Sequence, residues 1–200
     1  MISNPLLFID IDTQFDFMHP QGKLYVQGAE TLVPNLKQLL GFALKHQIPI
    51  LSSVDAHPSH DPEFKQFPPH CIQGTAGQKK IKATQIPNTL TLSNQTSDFD
   101  LGPVDAIVVE KTVFNLFGNP NTEQIISQLS PQTCIVFGVA TDYCVKAAAL
   151  ELVKKGYHVK IVSDAIKAVT EKGKQESFEE FKTVGIDLVT TQDILGEKQQ

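Results

Sequence analysis

The chain has 200 residues, 41% of them hydrophobic, with 17 basic and 22 acidic side chains and a net charge of −5. That suits one domain over 1–200 with a sizeable core, excludes wholesale disorder, and argues against a nucleic-acid binder working from a basic face. Every basic residue is Lys, which removes the bidentate guanidinium clamp, and three sparse Cys imply no disulfide framework and fit a reducing compartment.

Residues 1–5 carry no basic leader, and the apolar run 6–9 stops at Asp10, too short for a signal peptide. No stretch approaches ~18 apolar residues, so no membrane span is expected and the reading is cytoplasmic. Residues 6–11 (LLFIDI) predict a buried strand. Residues 30–46 place Leu32, Leu36, Leu39, Leu40, Ala43 and Leu44 at helical spacing, with Pro34 tolerated in the first turn. Residues 48–54 read as a second strand and 55–77, rich in Pro, Gly and His, as loop. A strand over 105–110, a helix over 122–129 and a strand over 133–139 follow. The helix predicted over 142–155 takes Thr141 or Asp142 as its cap and Gly156 as its stop. A strand over 158–163, a helix over 171–183 and a strand over 186–189 complete the pattern, and the tail 196–200 is expected to fray. Alternating apolar strands and amphipathic helices predict an α/β fold: three layers, doubly wound, with a mostly parallel sheet covered on both faces. Ligands of such sheets bind beyond the carboxyl ends of the strands.

No glycine-rich nucleotide signature follows the first strand, which argues against a dinucleotide-dependent oxidoreductase. Four strand ends instead carry reactive side chains. The first runs into Asp10-Ile11-Asp12, where an acid is a site residue or a turn cap. The second runs into Asp55-Ala56-His57, whose alternation puts a carboxylate and an imidazole on one side, half of a divalent-metal site. Pro68-Pro69-His70 can add a third ligand; the bland alternative is a solvated loop. The third strand ends at Glu110-Lys111, where an ordinary surface Lys competes with a buried charge partner. The fourth leads to Cys144 in the first turn of a helix, whose free N–H groups favour thiolate and can hold an oxyanion. Cys134 reads as a small buried core residue, and Cys71 has no assigned role. A sulfur nucleophile, an acid and a cation on one sheet edge form the set that amide hydrolysis through a covalent intermediate needs.

The segments Asp12-Thr13-Gln14-Phe15-Asp16-Phe17, Asp55-Ala56-His57-Pro58, Phe67-Pro68-Pro69-His70-Cys71 with Gly74-Thr75-Ala76-Gly77, Glu110-Lys111-Thr112, and 138–145 stand in the order of a known family. Over roughly 6–189 the chain resembles the nicotinamidase/pyrazinamidase branch of the isochorismatase-like cysteine hydrolases. The resemblance implies the isochorismatase-like fold and hydrolysis of nicotinamide, and of pyrazinamide, to the acid and ammonia through a Cys thioester, in NAD salvage. It implies a catalytic Asp12, Lys111 and Cys144, and an oxyanion hole from the N–H groups of Ala140 and Cys144 across a cis Val139–Ala140 bond. It also implies one divalent metal on Asp55, His57 and His70, with zinc as first choice and iron or manganese as alternatives. Phe17 and Phe67 would sandwich the substrate ring. By the spacing some members use, the resemblance implies Glu63 as the fourth metal ligand, with His60 as the alternative. Phe67 stands where many members have Trp, and Asp10 is an extra acid that strand alternation sends the same way as Asp12. The expected partner is a small molecule, with a homo-oligomer open. The rival readings are another amidohydrolase of the superfamily and a catalytically silent metal- or ring-binding protein.

Overall fold

The computed structural model describes residues 6–196; the expectations for 1–5 and 197–200 lie outside these. Among the described residues seven strands form one sheet: β1 (Leu6–Ile11), β2 (Ile50–Asp55), β3 (Thr89–Leu92), β4 (Ala106–Lys111), β5 (Thr133–Val139), β6 (His158–Lys167) and β7 (Asp187–Val189). Their order is β3-β4-β2-β1-β5-β6-β7, with every pairing parallel. The helices are α1 (Phe15–Met18), α2 (Val33–Lys45), α3 (Thr122–Leu129), α4 (Lys146–Lys154), α5 (Glu171–Thr183) and α6 (Thr191–Gly196).

The chain leaves β1 for β2 in one direction and β5 for β6 in the other. Right-handed crossovers therefore place α2 and α4 on opposite faces. α2 packs with α6, and α4 with α5 and β6. β1 and β5 lie at the centre, and each is buried along almost its full length. Phe8 stacks on Phe42 of α2 at 6.3 Å and meets Phe137 of β5 edge-on at 6.1 Å. No helix among the described residues is long and apolar enough to cross a membrane.

The sheet is wholly parallel, where a mostly parallel one was expected. β3, a four-residue partly exposed edge strand, escaped the sequence reading, as did the short α1 and α6. β6 runs four residues past the predicted 163, with a register shift against β5 between Val136 and Gly138. The helix predicted over 142–155 opens with a π turn, Thr141–Val145, and becomes α-helical only at Lys146. Neither Thr141 nor Asp142 caps it; its flanking residue is Ala140, without a side-chain cap. The Asp142 carboxylate instead accepts from the Val169 and Thr170 N–H groups at 2.9 and 3.2 Å, tying down the chain before α5.

Candidate active site

The carboxyl ends of β1, β2, β4 and β5, adjacent in the sheet, converge on one cleft. Asp12 follows β1 with φ of 49°, a left-handed conformation that Asp tolerates better than most residues. That rotation takes its side chain off the alternation of β1. Asp12 Oδ1 accepts from the Ser53 hydroxyl at 2.6 Å. Asp10 remains in the row shared with Ser52, accepting from Thr13 Oγ1 at 3.1 Å and pairing with Lys80. The two acids therefore take different partners, contrary to the strand-alternation expectation.

Lys111 is fully buried at the end of β4. Its ammonium lies 2.8 Å from Asp12 Oδ2, pairs with Asp55 Oδ1, and stands 3.7 Å from Cys144 Sγ. Such a cation is tolerable in a dry interior only because two carboxylates face it, and those carboxylates hold the ammonium well above its ordinary range against the opposing pull of burial. Burial raises the Asp12 carboxyl, with Lys111 opposing. Burial also pushes the Cys144 thiol well above its usual range; Lys111 pulls it down and the hydrogen-bonding Asp12 pushes it up. Burial therefore works against the bias toward thiolate that the helix N-terminus supplies. The Val139–Ala140 peptide is cis and sets Ala140 directly before the turn that carries Cys144.

A second cluster shares Asp55. Ligand atoms of Asp55, His57 and His70 lie within 4.8 Å of one another, and all three residues are buried. His57 Nε2 is 3.7 Å and His70 Nε2 3.8 Å from Asp55 Oδ2. These gaps are too long for hydrogen bonds and close to the edge of a tetrahedron with ligand bonds of about 2.0–2.2 Å. Both ring nitrogens of His57 are buried without a hydrogen bond; Nδ1 faces the Asp61 carboxylate at 3.1 Å, and Nε2 is left as the atom available to an ion. His70 Nδ1 lies 2.8 Å from the Pro68 carbonyl, which fixes the proton there and leaves Nε2 free to ligate. The donor set therefore fits a divalent ion of the zinc, iron or manganese kind. Glu63 Oε1 stands 3.9 Å from His70 Nε2. A second group, His57, Asp61 and Glu63, adjoins the first, and His60, exposed and 3.5 Å from the Ser59 hydroxyl, belongs to neither. The structure thus brings Glu63 to the cluster and leaves His60 outside it.

Gln14 braces this centre in a way the sequence reading missed. Its amide nitrogen donates to the Asp55 and Gln78 carbonyls at 2.8 and 2.7 Å, and its oxygen accepts from the Asp55 N–H at 2.7 Å. Its place two residues after Asp12 was the available signal. Phe17 and Phe67 both line the cleft that holds Asp55, Glu63, His70, Ala140 and Cys144. Phe114 and Tyr143 add further aromatic wall, each edge-on to Phe67 at 6.1 and 6.2 Å. Cys71 and Cys134 are fully buried.

A family model described as "Isochorismatase domain" matches residues 6–193. The chain is 25% identical to a nicotinamidase of Acinetobacter baylyi over 216 residues, covering 96% of each protein. It is 22% identical to an Arabidopsis thaliana protein named "probable inactive nicotinamidase", over 90% of this chain and 89% of that one. The pyrazinamidase of Pyrococcus horikoshii, solved in complex with zinc, superposes with a TM-score of 0.78 at 26% identity, covering 94% of this chain and 99% of that one. With nearly its whole length matched, this chain belongs to the isochorismatase family of hydrolases.

Proposed function

We propose that the protein is a nicotinamidase, a cysteine amidohydrolase that converts nicotinamide, and pyrazinamide, to the acid and ammonia. The observation that carries this reading is the buried Lys111 ammonium, which touches Asp12, Asp55 and Cys144 at once and so joins a nucleophile and its acid–base partner to a metal cradle. A divalent ion held by Asp55, His57 and His70, with Glu63 beside them, would bind the substrate's ring nitrogen and so fix the amide's orientation.

Asp12 accepts the Cys144 thiol proton as the sulfur bonds to the carboxamide carbon, and Lys111 balances the charge on both. Burial suits Asp12 to this, because a raised carboxyl is a stronger base than a free one. The oxyanion rests on the N–H groups of Ala140 and Cys144; one such donor is typically worth about 3 kcal/mol. The C–N bond breaks as Asp12 passes its proton to the nitrogen, releasing ammonia. Water then adds to the thioester, Asp12 takes its proton, and collapse returns that proton to the departing sulfur with release of nicotinic acid. Phe17 and Phe67 hold the ring. The product supplies NAD salvage, and the chain works as one domain in the cytoplasm.

Ammonia release from nicotinamide tests the proposal. Cys144→Ala is expected to abolish release while metal content stays unchanged. Retained turnover in that variant, lost on chelation alone, would assign the reaction to a water nucleophile instead.

A further inference from the structure

Resting on the metal reading just proposed, we infer that Asp61 is a positioning residue that orients His57 and the turn bearing Glu63 for ion binding. Its two carboxylate oxygens do separate things. Asp61 Oδ2 lies 3.1 Å from His57 Nδ1, the ring nitrogen facing away from Asp55. Asp61 Oδ1 accepts from the Glu63 N–H at 2.8 Å and so caps the 3₁₀ turn Pro62–Lys65. One half-buried side chain thereby sets both the imidazole and the backbone of the nearest further carboxylate.

The chemistry explains why His57 needs such a partner. An imidazole ligates through one nitrogen only when the other carries the proton, and a carboxylate at Nδ1 favours the tautomer with Nε2 free. His70 has the Pro68 carbonyl for that purpose. For His57 the group at the equivalent position is Asp61. The ring is otherwise held by aromatic contacts, with Phe64 at 5.5 Å and His70 at 4.8 Å, which restrict tilt without choosing a tautomer.

The test is zinc affinity of the full chain, measured by competition with a chromophoric chelator, for wild type, Asp61→Asn and Asp61→Ala. Asn keeps an oxygen for the Glu63 N–H but loses the charge at His57, so it guards against simple collapse of the turn. Both variants are expected to bind one zinc with about 10–100-fold weaker affinity. In Asp61→Asn, nitrogen NMR of the neutral His57 ring should show a mixture of tautomers where wild type shows one. Unchanged affinity in both variants, or an unchanged tautomer in Asp61→Asn, overturns the inference. Complete loss of zinc from Asp61→Asn also overturns it, because Asp61 would then be a ligand. Wild-type protein that binds no zinc overturns the metal reading underneath, an outcome seen before any variant is compared.

Discussion

Asp10 and Asp12 lie two residues apart, yet Asp10 pairs with Lys80 and Asp12 faces Lys111. Sequence showed both acids at a strand end, and only the backbone torsion of Asp12 separates their roles; a single non-Gly residue with positive φ leaves no pattern in composition or periodicity. Asp55 and His57 were legible because extended chain alternates and two residues return to the same side. The bracing Gln14 and the capping Asp61 were not, since polar residues in loops gain meaning only from their partners. The Asp10–Lys80 pair makes a prediction at this scale. Asp10 is fully buried and the Lys80 side chain 10% exposed. Lys80→Met strands a buried carboxylate and is expected to destabilise by about 3–5 kcal/mol, whereas Asp10→Leu with Lys80→Met recovers most of that loss. Urea midpoints of the three proteins check it; equal midpoints for Lys80→Met and wild type would refute a buried ion pair. The cysteines make another. Burial pushes the Cys134 thiol up to about 12. At pH 8, far below that value, it stays protonated and sealed, so iodoacetamide should leave it unmodified in native protein and alkylate it in guanidinium.

The segment from β5 through the π turn into α4 shows where element-level reading stops. The apolar run of β5 and the amphipathic run of α4 declare themselves in sequence, but the join between them does not. Gly138 has φ of 114°, and a Cβ there would sit 2.1 Å from the Ile11 carbonyl oxygen of β1. That close approach lets the end of β5 lie against the end of β1, which brings the Cys144 turn toward Asp12. Gly156 has φ of 90° with nothing within 4 Å of its Cβ position, so it isolates torsional strain from collision. Gly156→Ala is expected to destabilise by about 1–2 kcal/mol and leave ammonia release unchanged. Gly138→Ala should lose more than that and lose turnover, because β1 and β5 cannot separate without moving Cys144 away from Asp12. Guanidinium denaturation alongside the ammonia assay separates the two, and equal behaviour of both variants would count against a role for the β1–β5 approach.

Across the whole molecule, the doubly wound architecture was legible because apolar strands and amphipathic helices alternate along the chain, while the strand order came only with the structure. Two stretches were not: the edge strand β3 is short and partly exposed, and β6 runs on past 163 through Asp164, which breaks the apolar run. The same topology makes the cluster of Asp55, His57 and His70 a property of the folded chain alone. Asp55 ends β2 and His57 lies just beyond it, Glu63 sits in the following turn, and His70 follows the two prolines. The unfolded chain does not hold these donors together, so an ion that binds them binds the native state and stabilises it by mass action. At free zinc about 1,000 times its dissociation constant, the gain is about 4 kcal/mol. For a chain of this size each kcal/mol moves the melting temperature by about 2–4 °C. Metal-loaded protein should therefore melt roughly 8–16 °C above chelator-treated protein. His70→Ala should abolish most of that difference while changing the chelator-treated melting point far less. A melting temperature indifferent to both zinc and chelator would mean that Asp55, His57 and His70 are held in place by the fold for some purpose other than an ion.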